Sequence, residues 1–365
     1  MVFCNNVFNF PALCDPAVTI DNLRNGRVMM ALSMLYMPFD EIDLSVPYAS
    51  PPLPTYFADL NKQIGMVEED IQNNHAETVM VAHNPDELAI TAQKVALIHA
   101  IEGGFQLGDT DDEIRTNVIK LAGRGVAYIT VAPLFFRQVA TDVPAVPFLA
   151  DAVYDFICPQ KTGLGLTPRG QTLIEAMVRI GIPIDITHMS QNSIDDTFTF
   201  LNETFPNQSI PVVATHAACK LDGLNFKYNI IDRHIKAVAK SDGVVGLIFC
   251  KHYMSGGIAT PKNFDDSMKI LLRHIDHIHS VTGRYDNIGF GSDLDGFIKP
   301  TLPGFQRPLA FAEIEDRLTT QYGAEIAAKI CSGNAMRVLR QVWQQPRKPL
   351  RAAANHRGFC HAGKS

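Results

Sequence analysis

Four short apolar runs in the sequence end on residues that can do chemistry. Glu102 closes ALIHAI, His188 closes IDIT, His216 closes VVAT and Asp293 closes GFGS. One carboxylate and two imidazoles make a donor set suited to zinc with a coordination position left for water. Zinc in such a site lowers the pKa of that water toward ~7 and polarises a carbonyl, the two requirements of amide hydrolysis. Asp293 can then accept the water's proton and deliver it to the leaving amine. A single strand-end histidine is more often a satisfied hydrogen-bonding group than a ligand, so the reading rests on four strand ends agreeing.

The elements that must position these residues are visible as strand-length runs rich in Val and Ile: 27–36, 94–103, 125–133, 182–190, 210–218, 243–250 and 287–293. Near-continuous hydrophobicity predicts parallel strands covered on both faces. Helical patterns lie between them. GLTPRGQTLIEAMVRIGI predicts a helix with Thr167 as N-cap, Pro168 at the first position and Gly181 at the stop. Repeated strand and helix predicts an α/β fold, and the reactive residues stand at the carboxyl ends of their runs, as in a (β/α)8 TIM-like barrel. A doubly wound sheet would show a GxGxxG turn opening a helix, and neither IEGG nor GFGSDLDG does so. The expectation is one barrel domain over 1–345, with an incomplete first strand, and a basic flexible tail over 346–365 that carries no acid.

Composition narrows the partners. With 46% hydrophobic and 19% charged residues the chain can bury a large core. A net charge of −6 argues against nucleic-acid binding, which draws on excess Lys and Arg. Cysteines at 4, 14, 158, 219, 250, 331 and 360 form no CxxC pair and give neither a disulfide framework nor a cysteine zinc site. MVFCNNVFNF has no basic segment before an apolar one, and GVVGLIFC is far shorter than the ~20 residues of a membrane span. The sequence as written reads as soluble and cytoplasmic.

IEGG, IDITHMS, PVVATHAA, NIGFGSDLDG and SGNAMRVLRQVW, in this order, together with GLTPRG, resemble the membrane (renal) dipeptidase family of zinc peptidases over about residues 20 to 343. The resemblance implies a two-zinc barrel that hydrolyses dipeptides, with some relatives opening β-lactam rings. It implies Glu102 as the carboxylate bridging two metals, His188 and His216 as ligands of the second metal, and Asp293 as the proton-handling acid. Family members are commonly dimers, which makes a homodimer the expectation.

Three departures bear on function. The family's first-strand His-x-Asp is missing; either FCN at 3–5 is a degenerate form of it, or the sequence begins just after it. Pro133 stands where the family has a substrate-binding histidine. Tyr228 and Asn229 align with the Arg-Asn pair that grips the substrate carboxylate, and Lys227 nearby lacks the guanidinium fork. These positions keep two alternatives open beside a zinc dipeptidase: an inactive or impaired homologue, and a single-metal amidohydrolase acting on another amide, ester or lactone. Other features read structurally. His274, His277 and His279 belong to an amphipathic helix, His99 is a packed strand histidine, Asp185 is a strand-to-helix contact, with a supporting role behind the site residues as an alternative that no residue pattern supports, and Asp295 a turn or capping residue beside Gly296. The stretches 37–93 and 137–165 are expected to line and cover the barrel mouth.

Overall fold

Each of the seven apolar runs contributes a strand to the computed structural model. The structure describes residues 16–36, 55–90, 94–255 and 260–347, apart from positions 133, 136, 137, 148, 162, 297 and 299. The strands are β1 (Met30–Leu35), β2 (Val79–Val81), β3 (Val95–Glu102), β4 (Ile129–Thr130), β5 (Ile184–Asp185), β6 (Val212–Ala217), β7 (Val245–Leu247) and β8 (Ile288–Phe290). Every pairing is parallel, in the order β1-β3-β4-β5-β6-β7-β8, with β2 beside β3. This is the expected α/β barrel arrangement of strands joined by helical crossovers. Among the described residues no ladder joins β8 to β1. The incomplete first strand expected from the sequence falls within residues 1–15, outside the described residues.

β2 is the strand the sequence reading missed. Its three residues are too few to show a period, and they are held by pairing Val79 to Val95 at the start of β3. The crossover helices follow their punctuation. In Pro168–Ile180 the Thr167 hydroxyl accepts from the Gly170 N–H, Pro168 opens the first turn, and Gly181 ends it with φ 87°, a left-handed backbone that favours glycine. Trp343, fully buried, follows the helix Asn334–Val342 and packs with Ile98, Ala96 and Leu339 outside β3. The Gln344 N–H donates to Gly181 O and the Arg347 N–H to Val178 O, so the chain is held against this helix through Arg347. The remainder of the basic tail, 348–365, lies outside the described residues.

The histidine-rich stretch forms the helix Phe264–Thr282, capped by Asn263 and Gly283. His277 pairs with Asp232 at the surface, 2.8 Å away, and His279 stacks on Tyr285. His274 is fully buried: its Nδ1 accepts from the Cys219 N–H at 3.1 Å and its Nε2–H donates to Met254 O at 3.0 Å. Those two bonds require the neutral ring, and burial pushes its pKa down to about 4. Because the unfolded chain binds this proton near pH ~6.5 and the folded chain does not, the contribution to stability is complete above that value and is lost as pH falls toward 4. Denaturant titrations should show the wild-type protein losing more stability between pH 6.5 and pH 4 than His274→Gln, by up to about 1.4 kcal/mol per pH unit. Parallel pH curves for the two proteins would contradict the assignment.

Candidate metal centre

Three of the four reactive strand ends converge. Glu102 is the last residue of β3, His188 lies three residues past β5, and His216 sits within β6. All three are buried, and their ligand atoms lie within 4.8 Å of one another, the one such group among the described residues. His188 Nε2 is 2.9 Å from Glu102 Oε1 and 3.1 Å from His216 Nε2. Two imidazole lone pairs cannot face each other at that distance without a proton or a cation between them. Two nitrogens ligating one ion at about 2.0–2.1 Å in tetrahedral geometry stand about 3.3 Å apart, so the donor set fits a metal ion. Burial presses the His188 pKa down to about 4 and raises that of Glu102, so a neutral imidazole presents a lone pair at neutral pH.

The backbone shows how the site is aimed. His188 has φ 69°, a strained conformation outside glycine, and it turns the ring inward from the loop after β5. Its carbonyl accepts from the Val143 N–H at 2.8 Å, where the segment around Asp142 bridges antiparallel to Met189. The part of the stretch 137–165 about Asp142 and Val143 thus lies across this strand end. In the stretch 37–93, the helix Tyr56–Asp70 places Tyr56 edge-on to Phe105 beyond β3; residues 37–54 lie outside the described residues. At His216 the register of β6 against β7 shifts, and the Thr215 carbonyl is wedged between two glycines. A Cβ on Gly246 would stand 2.0 Å from Thr215 O, and one on Gly291 only 1.6 Å. These glycines of GVVGLIFC and GFGSD allow β7 and β8 to approach the ligand strand.

Asp293 lies beyond β8 with φ 55°. Its carboxyl pKa is pushed up to about 7, first by burial and then by the charge of Glu102, with His216 opposing. It therefore shares the electrostatic environment of the trio. Gly296 makes room for it: a Cβ there would stand 2.3 Å from Asp293 Oδ1. Asp295 does more than shape a turn. Its carboxylate accepts from the Ala17 N–H at 2.7 Å and the Val18 N–H at 2.9 Å, tying the chain ahead of the helix Ile20–Asn25 to this loop.

Tyr228 and Asn229 lie beside the histidines with their donors committed. The Tyr228 ring is 5.8 Å from that of His188, and its hydroxyl donates to His216 O at 2.6 Å. Asn229 Nδ2 donates to Cys219 O and Tyr253 O. Lys227 is paired with Asp155. A cavity of about 30 Å³, room for about one water, lies between His188, His216 and this loop. His99 is buried on β3 with Nε2 3.5 Å from Glu68 Oε1, facing the helix Tyr56–Asp70. Asp185 corrects the sequence reading. Instead of contacting a helix it is fully buried among β4, β5 and β6, receiving hydrogen bonds from Thr130, Thr187 and Thr215. Alternation along an ideal strand misled here, because β5 ends at Asp185 and the chain turns before His188. Pro133 and the FCN at 3–5 lie outside the described residues.

A family model described as membrane dipeptidase (peptidase family M19) matches residues 6–352. An uncharacterized protein in the pqqA 5′ region of Klebsiella pneumoniae is 30% identical over 188 residues, 50% of this chain and 64% of that protein. Dipeptidase 3 of Rattus norvegicus is 27% identical over 263 residues, 71% of this chain and 48% of that protein. The matches thus span less than two thirds of either relative. The crystal structure of dipeptidase AC, a metallopeptidase of family M19, superposes with TM-score 0.68 at 20% identity, covering 92% of each chain. That of a Rhodobacter sphaeroides metallopeptidase liganded with a phosphinate mimic of the dipeptide L-Ala-D-Ala gives 0.67 at 20% identity, covering 90% of this chain and 91% of that one.

The two site glycines separate packing from positioning. In Gly296→Ala the new methyl meets the rotatable end of Asp293, so the carboxylate swings aside and stability should change by less than about 1 kcal/mol. In Gly291→Ala the methyl meets backbone that cannot swing, and the loss should be about 1–3 kcal/mol or more. Chemical denaturation of both variants checks this; equal losses would show that the Asp293 loop is as rigid as the strands.

Proposed function

The chain belongs to the membrane dipeptidase family, peptidase family M19, and from that membership we propose that it is a zinc-dependent hydrolase cleaving a dipeptide or related small amide. The observation that carries the reading is the buried Glu102, His188 and His216 trio, with its two imidazole nitrogens 3.1 Å apart. In this reading Glu102, His188 and His216 would hold one zinc ion, and with the first-strand His-x-Asp missing from the sequence a second site is not supplied by described residues of this chain that the trio can reach. Zinc, when bound, supplies a Lewis acid that polarises the scissile carbonyl and makes water a nucleophile near neutral pH.

The chain's own residues do the rest. Asp293 takes a proton from the attacking water and returns it to the leaving nitrogen, so that the C–N bond breaks as the amine departs neutral. Burial around Asp293 serves this exchange, because a carboxyl whose pKa lies close to the working pH can both accept and give a proton. Tyr228 borders the substrate with its ring, and Asn229 holds that loop through its two carbonyl contacts. Asp293→Asn should lower kcat about 10²–10⁴-fold while the bound zinc is retained. Full turnover by the variant, or by protein stripped of metal, would overturn the reading.

A second reading is favoured by one observation. In the loop aligned with the family's arginine, the Tyr228 hydroxyl is bonded to His216 O and Lys227 is paired with Asp155. Neither offers the two-pronged grip that an arginine gives a free carboxylate. A single-metal hydrolase of another amide, ester or lactone fits that loop better. The two readings part on one comparison: a dipeptidase should lose most of its kcat/KM when the substrate's terminal carboxylate is amidated, whereas the alternative should lose little.

A further inference from the structure

Among the buried ionisable groups that the proposed site does not use, one has an unusual number of donors. Asp185 is fully buried, and five hydrogen bonds end on its carboxylate. Oδ1 accepts from the Thr187 N–H at 3.0 Å, the Thr187 hydroxyl at 2.7 Å and the Thr215 N–H at 3.0 Å. Oδ2 accepts from the hydroxyls of Thr130 and Thr215, both at 2.6 Å. With its lone pairs filled by donors, the carboxylate has only acceptor capacity to offer. The Thr215 hydroxyl has one proton, and it is directed at Asp185.

That commitment reaches the next residue. Thr215 Oγ1 is also 3.0 Å from His216 Nδ1. Its proton being spent on Asp185, the threonine oxygen can only accept from the ring, so Nδ1 carries the hydrogen of the neutral imidazole. A neutral imidazole protonated at Nδ1 has its lone pair at Nε2, the nitrogen that faces His188 Nε2 at 3.1 Å.

We propose that Asp185 is a positioning residue which, through the Thr215 hydroxyl, holds His216 in the Nδ1–H tautomer and so presents Nε2 as a metal donor. The inference rests on the metal-centre reading above. Outer partners of this kind orient a ligating histidine and raise its basicity, and losing one costs ~10–100-fold in metal affinity.

The test uses the full chain loaded with zinc and titrated with a competing chelator, together with ¹⁵N NMR of the imidazoles in the metal-free protein. Asp185→Asn places an amide N–H opposite the Thr215 oxygen, turns the hydroxyl proton toward His216 and favours the Nε2–H tautomer. Zinc affinity should fall ~10–100-fold. Should Asp185→Asn not fold, Thr215→Val and Thr215→Ser decide: valine should release the tautomer preference and weaken zinc, and serine should preserve both. A role confined to tying β4, β5 and β6 together would lower thermal stability without moving the tautomer. Native tautomer and native zinc affinity in folded Asp185→Asn, or in Thr215→Val, would overturn the proposal. A wild-type protein that binds no zinc would instead overturn the metal-centre reading, while the tautomer in Asp185→Asn or Thr215→Val would still decide whether the relay exists.

Discussion

Two imidazole nitrogens pressed to 3.1 Å in a buried site, with a carboxylate oxygen 2.9 Å from one of them, set the terms for everything around them. Such an arrangement is unfavourable in a protein interior unless a proton or a cation lies among the donors, because lone pairs that face one another in a buried site repel and go unpaired. The surrounding fold therefore has to supply the rigidity that keeps the donors from drifting apart. It does so by drawing them from three strands of one parallel sheet, whose carboxyl ends are fixed relative to one another by the ladders from β3 to β6.

The rigidity is visible in residues that carry no chemistry. Gly246 and Gly291 admit the Thr215 carbonyl between β7 and β8, and a side chain at either position would push His216 out of line. Asp185 joins three strand ends through threonines, and the positive φ at His188 bends the ring back over the site. The loop after β8 is organised in the same spirit: Gly296 clears space for Asp293, and Asp295 grips the backbone at Ala17 and Val18. Neighbouring acids in one loop thereby take different tasks, one facing the site and one anchoring the chain that precedes β1.

In the proposed function, specificity belongs to the other side of the donors. The loop carrying Lys227, Tyr228 and Asn229 is closed on itself through Asp155, His216 O, Cys219 O and Tyr253 O, and Tyr228 is stacked on Tyr253 with ring centroids 4.2 Å apart. A loop so fully bonded would, in the proposed function, offer a substrate shape and an aromatic face more than a charged grip. Catalytic machinery on strand ends and selectivity on the loops above them is the usual division of labour in this architecture.

The sequence by itself determined the strand runs, the caps of the helix Pro168–Ile180 and the choice of Glu102, His188, His216 and Asp293 as candidates, because each is written in local pattern: apolar periodicity, Thr-Pro and Gly punctuation, and a polar residue at the end of a run. It left β2 unread, since three residues show no period, and it misplaced Asp185, since alternation holds only while a strand continues. Only the tertiary structure decided that Asp185 meets Thr215 across 30 positions and that Asp295 meets Ala17 across 278. Hydrogen bonds between distant segments leave no periodic trace in either segment; they exist only once the strands are laid side by side.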